Sequence, residues 1–417
     1  MYCNLEYIKL IFMTKKYLVL ILLSIILFTC SSNNNSEEPN DDNSVCNENV
    51  VLISQQEIND FGNSGCTSIT GNLRIDDSID GIFDIVDLTP LNNLTIIGGD
   101  LEIGINNNLT EINAFSSLKS IGKNVTIGTN ENLTQINGFN ELLSIERDFV
   151  IGRNHALLQI NGFIKLATVG YTFKIEQNDN LIEIGGFELL NNVGSNSGIG
   201  PGFYIRQNNK LETISSFNNL TQIFGHLNLT QNSKLISIEG FNALTELRYD
   251  GSLLIDRNYE LNQVIGFNSL TSVSNFKITQ NNVLNEVSGF NNLTSIVIDL
   301  EINHNDNLTI TSFPNLNDIG EDFIFKYNDL FQDFTDFSNL TTIDDDFIIS
   351  DNDNVINLNG FSNLISVDNL RITNTNLSDL CGITNLIQSN GVSGIYNVIN
   401  NAYNPSQQDI IDGNCSL

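Results

Sequence analysis

The chain has 417 residues, with 49 acidic against 18 basic side chains and a net charge of −31. A surface this acidic does not bind nucleic acid by neutralising phosphates, and anionic lipid head groups repel it. One internal repeat fills most of the length, which points to a single elongated array.

The first segment in chain order is T-K-K-Y-L-V-L-I-L-L-S-I-I-L-F-T-C at 14–30. Two Lys, an apolar run and a short polar exit make residues 1–29 a secretory signal, with Met13 a better start than Met1. The run is too short and wrongly flanked for a stable membrane span. Leu27-Phe28-Thr29-Cys30 resembles a bacterial lipobox, although Phe28 and Thr29 are bulkier than the small residues such boxes prefer. The resemblance implies a lipid on Cys30, which becomes the first residue of the mature chain, and an anchor in the outer membrane. Residues 31–44 contain no apolar side chain, so 30–45 reads as a flexible acidic tether. Its Glu37, Glu38, Asp41 and Asp42 resemble the segments that send some lipoproteins to the outer face of that membrane. Without residues 1–29 the chain loses three Lys and one Glu, and its charge moves to −33. The membrane link is then the lipid alone, and the charge favours a monomer.

Residues 46–70 form an N-terminal cap, in which S-Q-Q-E-I predicts a short helix over the open end of the core. From 71 to 380 the repeat takes over. One unit, Asn130 to Arg153, reads N-E-N-L-T-Q-I-N-G-F-N-E-L-L-S-I-E-R-D-F-V-I-G-R. Its Phe recurs at Phe115, Phe139, Phe163, Phe187, Phe217, Phe241, Phe267, Phe290, Phe313, Phe337 and Phe361, mostly in steps of 23 or 24 with one of 26 and one of 30. The apolar residues come in short alternating runs broken by Asn, Gly and Asp, which predicts short strands and turns. One such coil cannot bury its own apolar face, so the coils must stack. The expected fold is an all-β solenoid, a parallel β-helix-like stack of about thirteen coils and roughly 60 Å at the strand spacing.

Asn106, Asn130, Asn154, Asn178, Asn208, Asn232, Asn258, Asn281, Asn305, Asn328 and Asn352 each follow the last apolar residue of a strand by three. Stacked, they predict a structural ladder, each amide bonding the backbone of its own turn and of the next coil. Gly138, Gly162, Gly186, Gly240, Gly266, Gly289 and Gly360 precede the Phe, where they are expected to permit a bend other residues take poorly, although Ala114, Ser216, Ser312 and Asp336 in other coils show that positive φ is not obligatory. Residues 381–417 form a C-terminal cap. Cys46, Cys66, Cys381 and Cys415 bracket the array, and export implies an oxidising compartment. The ends of a long rod cannot meet, so the pairs are Cys46–Cys66 and Cys381–Cys415, and a metal site of four Cys is excluded.

Catalytic signatures are sparse. His155, His226 and His304 lie about three coils apart, roughly 14 Å between neighbours, too far to share a metal or a proton relay. No phosphate loop and no G-x-S-x-G is present. Asp344, Asp345, Asp346, Asp351 and Asp353 are the densest acidic group, but no calcium repeat accompanies them, and neither a metal nor a cofactor is expected. The outward position of each strand varies from coil to coil: Glu102, Thr126, Val150, Lys174, Tyr204, Asn228, Leu254, Lys277, Glu301, Ile324, Ile348, Arg371. Lys174, Tyr204 and Arg206 make a basic-aromatic spot beside the extra loop at 192–202, and loops on rigid scaffolds often carry function. There is no Trp for indole stacking on sugars.

The pattern G-N-L-R-I at 71–75, L-T-P-L-N-N-L-T-I-I-G-G-D-L-E-I at 88–103 and the N-x-L-x-x-I-x-G-F-x-x-L-x-x-I coils that follow resemble the receptor L-domain and its leucine-rich-repeat relatives. L-C-G-I-T-N-L, N-A-Y-N-P and G-N-C near the end resemble the close of such domains in bacterial surface lipoproteins. The likeness covers about 46–417 and implies a right-handed solenoid used for recognition. Hormone binding does not carry over, since the array is single and lacks a cysteine-rich module. The expected function is a non-catalytic surface lipoprotein binding extracellular protein or glycan. A polysaccharide-acting enzyme or a purely structural envelope rod are the alternatives.

Overall fold

The computed structural model describes residues 44–46, 48–195 and 202–417. The leader, Met13, Cys30, nearly all of the tether and residues 196–201 of the extra loop lie outside the described residues.

Every named strand pairs in parallel with the strand one coil away. The longest sheet has fifteen strands, from Val50–Leu52 to Tyr396–Ile399. A second face has thirteen short ones, from Val45–Cys46 to Thr342–Ile343. The third face carries two shorter sheets, of four and five strands, which break between Glu183–Ile184 and Thr213–Ile214. The long sheet continues into both disulfide-closed ends, and its fifteen rungs span roughly 65 Å.

Register explains why a near-constant period is needed. Phe149 pairs with Val125 on one side and Phe173 on the other, and Ile151 with Ile127 and Ile175. Phe149 and Ile151 are buried while Val150 between them is not. A slip of one residue would turn every buried side chain of a strand outward. Inside, the rings of Phe115 through Phe361 form one column of eleven, all fully buried, with neighbouring centroids 4.9 to 5.9 Å apart. Phe149, Phe173 and Phe203 stack on one another and meet this column edge-on. Both geometries suit the ring quadrupole.

All eleven ladder Asn are fully buried. Asn208 is representative. Its Nδ2 donates to the Ile175 carbonyl at 3.0 Å and the Arg206 carbonyl at 3.2 Å. Its Oδ1 accepts from the Asn178 backbone N–H at 3.2 Å, and its own N–H donates to Asn232 Oδ1 at 3.1 Å. Each amide thus replaces the sheet hydrogen bonds that a corner cannot make. A second ladder stands at the corner before the long strands. Asn72 donates its N–H to Asn49 Oδ1, Asp100 to Asn72, Asn124 to Asp100 and Asp148 to Asn124, at 2.8 to 3.1 Å.

The glycines before the Phe serve mainly to let neighbouring coils approach. Gly138, Gly162, Gly240, Gly266 and Gly360 are not at positive φ; only Gly186 and Gly289 are. In four coils the left-handed residue is the Phe itself, at φ 63 to 68° for Phe115, Phe139, Phe163 and Phe241. What excludes a side chain is close approach: a Cβ on Gly162 would lie 2.2 Å from the Gly138 carbonyl oxygen of the coil below.

Both ends are closed. Cys46–Cys66 and Cys381–Cys415 are bonded. A helix at Gln55–Asn63, capped by the Ser54 side chain, buries Ile58 against the first coil. At the other end, helices Thr384–Gln388 and Gln407–Ile411 bury Leu386, Ile387 and Ile410. Tyr396 and Tyr403 hydroxyls donate to the Pro405 and Asn414 carbonyls and tie down the last loop.

Candidate functional site

The backbone turns sharply around each buried ladder Asn, and the residue just before that Asn takes the left-handed conformation. Its φ is 55 to 58° at Arg153, Gln177, Gln207, Gln231, Arg257 and Gln280. The turn aims the N–H at the next coil, as where Gln177 N–H meets the Arg206 carbonyl at 3.2 Å. Gly, Asn and Asp take such a φ most readily. Asp351, Asn374 and Asn400 fill the place at the C-terminal end, at φ 55 to 59°, and Ile105, Thr129, His304 and Tyr327 fill it in other coils, at φ 52 to 59°. Six consecutive middle coils carry long polar side chains there instead. Arg153 Nε donates to Gln177 Oε1 at 3.0 Å, and Arg257 Nε to Gln280 Oε1 at 3.1 Å. Among the described residues, the Gln207 and Gln231 side-chain amides have no hydrogen-bond partner.

The residue after each ladder Asn forms a parallel row. His155 Nδ1 lies 2.7 Å from Asp179 Oδ2. Asn209 Nδ2 donates to Asp179 Oδ1 at 2.9 Å, and Ser233 Oγ to Asn209 Oδ1 at 3.2 Å. Tyr259 ends the row, about half exposed. The two rows wall a shallow polar groove of about 580 Å³ that follows the rod axis. Small-ligand sites span about 300–1,000 Å³.

The basic-aromatic spot lies around the corner on the same coils. Lys174 pairs with Tyr204 on adjacent strands, and the Arg206 guanidinium stands 5.7 Å from the Tyr204 ring centre. The structure therefore brings all three together. It also brings Glu176, which the sequence reading left out. Glu176 lies 2.7 Å from Arg206 Nε and 3.5 Å from Lys174 Nζ, so the spot is an ion-pair cluster with little free positive charge. Burial raises the pKa of the Tyr204 phenol, which stays neutral. Glu176 and Arg206 directly precede Gln177 and Gln207, which joins cluster and groove into one surface.

This surface offers planar donors and acceptors but no assembled nucleophile. His155, Asp179 and Ser233 share a row, yet Ser233 stands three coils from His155, roughly 14 Å at the strand spacing. His226 Nδ1 accepts from the Ser252 N–H, and the His304 ring packs on Tyr327. Among the described residues, the acidic side chains that converge are Asp322, Asp345 and Asp346, within 4.8 Å of one another. Asp351 and Asp353 do not belong to that group. Asp346 is already held by Arg371 and Asn369. Burial, with Asp299, Asp346 and Asp345 nearby, raises the pKa of Asp322.

The sequence reading missed the groove, although the residue before each ladder Asn spells R, Q, Q, Q, R, Q over six coils. What the letters lacked was the positive φ, which makes that choice costly.

No family model matches the chain, and no curated protein does. Among solved structures, a leucine-rich repeat protein from Bacteroides ovatus is similar to 64% of this chain over 80% of its own length, at 16% identity and a TM-score of 0.23. What the chain itself displays is a parallel β-solenoid, disulfide-bonded near both ends.

Proposed function

We propose that this protein is a non-catalytic recognition solenoid, lipid-anchored through Cys30 and displayed on the outer face of a bacterial outer membrane, where it binds an extracellular protein or glycan. The observation that carries the reading is the run of Arg and Gln in six consecutive coils. Each of those residues sits in a backbone conformation that costs about 1–3 kcal/mol for a side chain other than Gly. Ile105, Thr129, His304 and Tyr327 hold the same position in the coils on either side, and Asp351, Asn374 and Asn400 at the C-terminal end, so what sets the middle coils apart is an unbroken run of long hydrogen-bonding side chains. Six like side chains in register along one edge present a continuous row of planar donors and acceptors. Among the described residues, no helix is long and apolar enough to cross a membrane.

Protease shaving of intact cells, with mass spectrometry of the N-terminus, tests it. Solenoid peptides released from whole cells and acyl groups on Cys30 are the expected result. Lipidation with full protection in intact cells would turn the rod toward the periplasm and favour an envelope role. An unmodified Cys30 would refute the anchor.

A further inference from the structure

We infer that the groove over coils 149–260 binds a neutral, linear glycan laid along the rod axis, about one sugar residue per coil. This inference rests on the recognition reading above and names its ligand class. Four observations lead to it.

The first is period. The groove repeats its polar groups once per coil, every 4.8 Å or so. An extended peptide presents same-face side chains about every 6.7 Å and would fall out of step within two coils. A hexopyranose unit in an extended chain advances by close to one coil.

The second is chemistry. Gln207 and Gln231 have free amides, each a donor and an acceptor in one plane. That pairing matches two vicinal hydroxyls, which also donate and accept. Arg153 and Gln177 continue the same edge, already oriented by their mutual hydrogen bond.

The third is preorganisation. The opposite wall is bonded along its length from His155 through Asp179 and Asn209 to Ser233, so little side-chain freedom is lost on binding. Tyr259 at the end of that wall supplies an exposed ring for a sugar face, in a chain without Trp.

The fourth is charge. A protein at −31 repels polyanions, which favours an uncharged glycan over an acidic one.

The test uses the full-length chain purified in detergent, titrated calorimetrically with cello-, manno-, xylo- and chito-hexaoses and with the matching trioses. At least one hexaose is expected to bind, and to bind more tightly than its triose. The double variant Gln207→Ala with Gln231→Ala should bind it about tenfold or more weakly, the loss of one or two hydrogen bonds. Both positions are half-buried, and an unchanged circular dichroism spectrum and melting point would show that the fold is intact. A hexaose that binds the double variant equally well would overturn the assignment to this groove while leaving recognition standing. If no hexaose binds, the glycan inference fails. A photo-crosslinker at Gln231 on intact cells then separates the two readings. A crosslinked surface protein would sustain recognition with a protein ligand, and no adduct of any kind would remove both.

Discussion

Replacing Asn208 by Ala probes the device on which the whole stack depends. The wild-type amide is fully buried and makes contacts in three successive coils. Truncation leaves the Asn178 backbone N–H without its acceptor and takes a donor from the Ile175 carbonyl. A buried group left unsatisfied costs about 1–3 kcal/mol, so the pair should cost roughly 3 kcal/mol, before any cavity. Neighbouring Asn209 is exposed and also hydrogen-bonded, so Asn209→Ala should cost less than about 1 kcal/mol. Urea titration followed by circular dichroism gives the global loss. Hydrogen exchange is needed beside it, because stacked repeats can open in parts. Protection should fall most in the coils around Asn178 to Asn232. Asn208→Asp sharpens the case by setting an oxygen against the Ile175 and Arg206 carbonyls. Burial would raise the pKa of that carboxyl, so its penalty is full above the folded pKa and shrinks as pH falls through it. Equal losses for Asn208→Ala and Asn209→Ala would refute the argument that the ladder holds the corners.

Phe217→Ala opens a gap in the middle of the ring column and should cost about 3–5 kcal/mol by the same denaturation assay. Gly162→Ala should cost roughly 1–3 kcal/mol by overpacking alone, while Gly81→Ala, whose Cβ meets nothing within 4 Å, tests backbone strain without a clash. Replacing both Cys381 and Cys415 by Ser releases a segment of 34 residues and should cost about 3–4 kcal/mol, with exchange rising first in the C-terminal cap. Asp322→Asn should stabilise the protein at neutral pH. The folded pKa of Asp322 is raised, so its charged form disfavours folding above that pKa, and the gain should vanish as pH falls toward the ordinary carboxylate range. A gain that persists at low pH would contradict it.

Much of this architecture is legible in the letters because a stacked repeat makes each coil the environment of the next. The period of Phe115 to Phe361 fixes a column, and a column of rings must be interior. The Asn at a constant offset from the strand likewise predicts its own neighbours, since identical residues one period apart end up one rung apart. The second ladder is hidden in the letters because it runs Asn49, Asn72, Asp100, Asn124, Asp148 and Thr172, so identity does not repeat even though the hydrogen-bonding role does.

Sequence alone therefore determined the stack, its rungs and the pairing of cysteines at each end, because these follow from a one-dimensional period and from distance along a rod. Tertiary structure decided what a period cannot encode. It placed Glu176 between Lys174 and Arg206, which turned an apparent cationic spot into paired charge. It put positive φ on Phe115, Phe139, Phe163 and Phe241 and on the residue before each ladder Asn. It also set two rows of polar side chains opposite each other across one corner. Backbone dihedrals and side-chain partners are set by contacts between coils, and those contacts exist only once the chain has folded.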